Sequence, residues 1–161
     1  MASPDLIALA AATLHVEGSP ERILEIDCGD GERALFLARE YPRARVRGVD
    51  SSAETIHAAS ARIGLDPEGR VAFKTGSAKT GLPFPDDHFD LVARGGGAGP
   101  SAEIARVLRP GGELIAFDGA RGRDLLGLRA SRSRRLLARH GFEPLQSGGA
   151  GGGTYLVARL S

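Results

Sequence analysis

The chain has 161 residues, 42% apolar and 25% charged, and carries a net charge of +1. That length suits one domain with one real core, and the near-neutral balance gives no general case for a nucleic-acid or membrane partner. Cys28 is the only cysteine, which excludes an intrachain disulfide and a cysteine-built metal cluster.

Ser3-Pro4-Asp5 reads as an N-cap, a proline at the first helical position and a first-turn acid, predicting a helix at about 4–15. Its stretch Leu6 to Leu14 is apolar but lacks a positive flank, a cleavage site and the length to span a bilayer, so a cytoplasmic location is expected. Gly18-Ser19-Pro20 ends that element, and Ile23 to Ile26 is the first strand. Arg33 to Glu40 is helical until Pro42, and Arg45 to Val49 is the second strand. Ser51-Ser52-Ala53-Glu54 matches the Ser-x-x-Glu capping box of a helix running to about Ile63, with Gly64 as its cap. Arg70 to Thr75 is a third strand, the proline-rich 82–87 segment a connection, and Phe89 to Ala93 a fourth strand. Ser101 caps a helix to about Leu108, Pro110-Gly111-Gly112 breaks it, and Glu113 to Phe117 is the fifth strand. A helix within 124–140 stops at Gly141. Phe142 to Gln146 and Tyr155 to Ala158 are the last strands, joined by a loop from Gly148 to Gly153.

Alternation from the first strand to the fifth implies parallel strands with helices on both faces, a doubly wound α/β sheet. The final pair, joined by a short glycine loop, is expected as an antiparallel hairpin. No boundary or repeat divides the chain, so residues 1–161 are expected as one domain, with a helix and linker over 1–20 and the core over 21–161.

The stretch Glu25-Ile26-Asp27-Cys28-Gly29-Asp30-Gly31 is a strand end and a glycine-rich turn ahead of a helix. Glycines let a ligand approach the backbone closely, and a helix start offers free N–H groups. Asp50, at the tip of the second strand, follows Gly31 by 19 positions. There its carboxylate could grip a ribose by two hydroxyls, which points to an adenosine-containing cofactor.

Four matches in order resemble the class I S-adenosylmethionine-dependent methyltransferases, of the small-molecule type. They are Leu24–Gly31, Gly48–Ser52, Gly76-Ser77-Ala78 with 82–92, and Arg106–Leu114; His140-Gly141-Phe142 falls where many members enter the sixth strand. The resemblance covers Ile23 to Leu160 and implies a Rossmann-like seven-stranded sheet of order 3-2-1-4-5-7-6, with strand 7 antiparallel. It implies S-adenosyl-L-methionine as cofactor. The turn at Asp27, Cys28, Gly29 and Gly31 would hold the methionine part, and Asp50 with Ser51 the ribose. Ser77 and Ala78 would edge the adenine. Glu25 would either orient the loop or meet the cofactor ammonium. Arg94, at the fourth strand's tip, would touch cofactor or acceptor.

Two positions depart from the family. Asp27 replaces its first glycine; a positive φ there costs a non-glycine residue roughly 1–2 kcal/mol, aspartate being among the less penalised. Its charge either opposes the cofactor carboxylate or favours the ammonium and sulfonium. Ser77 stands where many members have an aspartate that accepts from the adenine amino group, a change of about 1 kcal/mol.

No residue announces itself as a catalytic base, and no signature names the acceptor. Cys28 reads as a packing residue rather than a nucleophile. His15, His57, His88 and His140 are scattered and read as surface or helix residues rather than metal ligands, with His88 the one placed to be considered as a base. The basic run Arg121 to Arg139 reads as a solvated helix face, with RNA as the competing partner; no aromatic residues interleave to stack bases. Because nearly every basic residue is arginine, a single arginine carries little information. A small-molecule acceptor is expected, in an open cleft closed by a second subunit of a homodimer or by a large substrate. Two other readings stand beside the methyltransferase. An NAD(P)-binding dehydrogenase would use Gly29-x-Gly31-x-x-Ala34 and Asp50 but not the later matches. A catalytically silent protein of the same fold would explain Asp27 and the absent acceptor signature.

Overall fold

The computed structural model describes residues 2–64, 66–96, 98–119 and 130–161. Seven strands form one sheet in the order β3-β2-β1-β4-β5-β7-β6. They are β1 (Arg22–Ile26), β2 (Arg45–Asp50), β3 (Val71–Thr75), β4 (Phe89–Arg94), β5 (Leu108–Asp118), β6 (Phe142–Ala150) and β7 (Gly153–Leu160). β3, β2, β1, β4 and β5 run parallel, and β7 is antiparallel to both β5 and β6. This is the mixed, doubly wound sheet anticipated above.

The helices are α1 (Pro4–Thr13), α2 (Glu32–Glu40), α3 (Ala53–Ile63), α4 (Ala102–Val107) and α5 (Ala130–Arg139). Alternating side chains send one set of apolar residues to each face of the sheet. On one face Ile23, Leu91, Ile115, Phe117 and Val157 pack with Ala8, Leu9 and Ala12 of α1 and Ala34, Leu37 and Ala38 of α2. On the other, Leu24, Ile26, Val92, Leu114 and Leu156 pack with Ile104 and Val107 of α4 and Leu137 of α5. Strands buried on both faces explain why β1 and β4 read as near-continuous apolar runs.

Local chemistry sets the element ends. Ser3 and Ser101 cap α1 and α4, their hydroxyls accepting from Leu6 N at 3.2 Å and Ile104 N at 3.3 Å. α1 stops at Thr13 rather than 15, because the N–H groups of Leu14, His15 and Val16 bond three residues back in a tightened turn. The α3 cap is Ser52, one residue past the expected Ser51 box: its hydroxyl accepts from Thr55 N, while its own N–H donates to Asp50 Oδ1. The Asp50 carboxylate thus takes the N–H that a capping-box glutamate would have used.

The last hairpin is longer than expected. Ala150 pairs with Gly153, leaving Gly151 and Gly152 as a two-residue turn with φ of 59° and 86°. Both central residues at positive φ give the primed turn that matches strand twist. β5 also begins earlier than predicted. Phe89 pairs with Leu108 and Leu91 with Glu113, so the Pro110-Gly111-Gly112 turn bulges out within the strand's span. Of the expected 124–140 helix, α5 supplies Ala130–Arg139, and 124–129 lie outside the described residues.

Candidate functional site

The carboxyl edge of β1, β2 and β4 gathers the polar residues singled out from the sequence. Asp27 follows β1 with φ of 59°, the left-handed conformation that a glycine would adopt without penalty. Cys28 N donates to Val49 O, and Gly31 N to Cys28 O, folding the turn against β2. Gly29, at φ 55°, has open space where a Cβ would stand, leaving its backbone accessible from the front. Gly31, at φ 87°, is buried, and a Cβ there would meet Phe73 Cζ at 2.8 Å. One glycine therefore serves approach from outside and the other serves packing inside.

Asp50 stands against this turn. Its Oδ2 accepts from Gly29 N and its Oδ1 from Ser52 N, both at 3.1 Å. Each oxygen takes one N–H bond and keeps acceptor capacity, and the residue is half-buried. Ser51 beside it is exposed. Across β3, Ser77 Oγ is 2.6 Å from Thr80 Oγ1 and accepts from Thr80 N, so this hydroxyl already ties its own turn together. Ala78 is buried next to it.

Glu25 has no exposure to solvent. Arg33, in the first turn of α2, reaches Glu25 Oε2 at 3.4 Å and donates to Asp27 O at 2.8 Å. Its guanidinium lies 5.6 Å from the Phe117 ring centroid and 4.0 Å from Asp5 Oδ2 of α1. Burial raises the Glu25 carboxyl to about 7; Arg33 opposes that rise, and Asp27 and Asp30 add to it. Three buried atoms at this edge, Glu25 Oε1, Arg33 Nε and Arg94 Nε, have no hydrogen-bond partner among the described residues. Buried polar atoms are normally paired, so an unpaired set at one edge points to a ligand.

The sequence does not single out Arg33, because arginines are so frequent in this chain; its place in the first turn of the helix after the glycine turn is the available signal. Arg94 lies at the tip of β4, in register with Ile26 of β1 and Ala116 of β5, and its Nη1 donates to Gly99 O at 2.9 Å. Cys28 is buried, and its thiol is pushed up to about 12 by burial, with Glu25 and Asp50 adding to the rise. A thiolate nucleophile is thereby disfavoured. His88 N bonds Val107 O ahead of β4, at the opposite edge of the sheet, so it is not placed to act as a base here. Arg134, Arg135 and Arg139 are exposed on α5, while Arg121, Arg123 and Arg129 lie outside the described residues. No three His, Cys, Asp or Glu side chains converge as a metal site among the described residues.

The model of the methyltransferase domain family matches residues 23–112, more than half of the chain. The chain belongs to this family. It is 36% identical over 115 residues to a fatty-acid O-methyltransferase of Mycolicibacterium smegmatis, covering 67% of this chain and 40% of that protein. It is 34% identical over 129 residues to a ubiquinone/menaquinone biosynthesis C-methyltransferase of Syntrophotalea carbinolica, covering 74% of this chain and 54% of that one. The chain therefore spans about half the length of these relatives. A solved S-adenosylmethionine-dependent methyltransferase from Aquifex aeolicus shares the fold at a TM-score of 0.75 and 15% identity, covering 97% of this chain and 92% of its own. For this member of the family, the residues at the carboxyl edge fit the cofactor. Gly29 leaves its backbone open, Asp50 keeps acceptor capacity beside it, and Glu25 retains an acceptor oxygen suited to an ammonium donor.

Proposed function

We propose that this protein is an S-adenosylmethionine-dependent methyltransferase acting on a small-molecule acceptor. The observation that carries the reading is the contact of Asp50 with Gly29 N at 3.1 Å: the acid at the tip of β2 stands directly against the glycine of the turn that, unlike Gly31, is open to approach. Asp50 would hold the ribose hydroxyls, the Gly29 backbone the methionine part, Glu25 the ammonium, and the 77–78 segment the adenine edge. When bound, the cofactor supplies a methyl group already activated by its sulfonium. The protein's tasks are then alignment of the acceptor and exclusion of water. A base is needed only for an acceptor that loses a proton early. The relatives' names speak of fatty-acid and quinone acceptors, which favours a small, largely apolar molecule.

Titration calorimetry with S-adenosylhomocysteine and with NADH tests the cofactor. The first should bind and the second should not. Asp50→Ala should weaken S-adenosylhomocysteine at least tenfold, and unchanged affinity would sink the ribose assignment. A second reading, a silent member of the fold, is favoured by Asp27 at φ 59°, which sets an acid where the family has glycine. Tight S-adenosylhomocysteine binding with no methyl transfer to small-molecule extracts would select it.

A further inference from the structure

We propose that Arg94 is a specificity-determining residue for an acceptor that carries a carboxylate, which it holds through the Nε–Nη2 edge of its guanidinium. This rests on the methyltransferase reading above.

Arg94 closes β4 one strand away from the glycine turn, in register with Ile26, the residue before Asp27. Val92, two residues earlier, packs on the α4 and α5 face, so alternation places Arg94 on that face. Alternation turns Glu25, paired with Arg33 beneath α2, and Asp50 of β2 to the other face, while Asp118, buried at the tip of β5 two residues past Ala116, shares the face of Arg94.

The guanidinium is anchored at one corner only. Nη1 donates to Gly99 O at 2.9 Å, and Gly99 is seated against Leu136 of α5, where a Cβ would come within 2.8 Å of Cδ2. Nε is buried without a partner among the described residues, and the one bond the guanidinium makes to them is through Nη1. Those two N–H groups are parallel, and they form the edge of arginine that binds a carboxylate with two bonds. Gly95, next along the chain, packs on Phe117, where a Cβ would come within 3.0 Å of the ring.

The test is titration calorimetry on the whole chain saturated with S-adenosylhomocysteine. The probes are decanoate against decanol, and 4-hydroxybenzoate against phenol. At least one acid should bind tenfold or more tightly than its neutral counterpart, and the pair showing the preference tells an aliphatic acceptor from an aromatic one. Arg94→Met should erase that preference, and Arg94→Lys should keep part of it, while S-adenosylhomocysteine affinity stays within about threefold in both. Equal binding of acid and neutral probe in the unmodified protein would overturn the proposal, and needs no variant to fold. So would an Arg94→Met protein that loses S-adenosylhomocysteine as strongly as the acid, since Arg94 would then serve the cofactor. Failure of S-adenosylhomocysteine to bind the unmodified protein would instead bring down the methyltransferase reading, and this one with it.

Discussion

Replacing Glu25 by glutamine should change how stability depends on pH, and in a direction opposite to that of most carboxylates. Burial at 0% exposure raises this group from 4.5 to about 7, despite Arg33 at 3.4 Å. Between those two values the folded protein holds a proton that the unfolded chain has released. Stability therefore falls as pH rises through this window, by about 1.4 kcal/mol per pH unit. Across the window the loss comes to roughly 3 kcal/mol, and it levels off above pH 7 where both states are ionised. Glutamine has nearly the same shape and does not titrate. The stability of Glu25→Gln relative to the unmodified protein should thus climb by about 3 kcal/mol between pH 4.5 and pH 8, with other titrating groups cancelling in the difference. Urea unfolding followed by far-ultraviolet circular dichroism suits the measurement, since the chain has no tryptophan to report by fluorescence. A difference that stays flat across the range, or shrinks as pH rises, would refute the account of a carboxyl raised by desolvation.

Other perturbations test other parts of the structure. Asp27→Gly relieves the φ of 59° but gives the unfolded chain more freedom, for a net gain of about 0.5 kcal/mol and a melting temperature higher by about 1–2 °C. Asp27→Val should move it the other way, and a thermal scan in which glycine lowers the midpoint would show that no strain is stored there. Arg106 donates to Glu103, Asp86 and the carbonyls of Leu82 and Phe84, holding the proline-rich 82–86 connection onto α4. Arg106→Met should cost about 2 kcal/mol in urea unfolding, a figure kept low because the side chain is 31% exposed. Cys28, with its thiol at about 12, should resist iodoacetamide at pH 8 in the folded protein and react promptly in urea. Fast labelling without denaturant would contradict its burial.

The sheet was legible because each strand announces itself by apolar residues and each crossover by a cap or a breaker. Ser3 and Ser101 were readable as caps from spacing alone. The misreadings have local causes. Ser51 and Ser52 are both competent caps, and only the carboxylate of Asp50, bonded to Ser52 N, decides between them. The glycines at 148–153 read as a loop because glycine has low strand propensity, yet pairing with β7 carries the ladder through Gly148 and Gly149. At the carboxyl edge, Asp50 and the glycine turn could be placed from order and spacing. Arg33 could not, because its role arises from α2 folding back over β1, which brings together residues eight positions apart in different elements. The engagement of Ser77 by Thr80 was likewise invisible, since a hydroxyl's partner is a matter of turn geometry.

The seating of α1 bears on how this protein emerges during synthesis. Ala8, Leu9 and Ala12 are covered by β5 and β7, and Asp5 accepts from Gly119 N at 2.6 Å, across 114 positions of chain. The resting place of α1 is thus built almost entirely from strands synthesised long after it. Until β7 is made, that small apolar stripe has nowhere native to go, and the nascent chain carries it uncovered. Docking of α1 is then a late step, and a chain halted before residue 153 should be held by chaperones rather than released in its native fold.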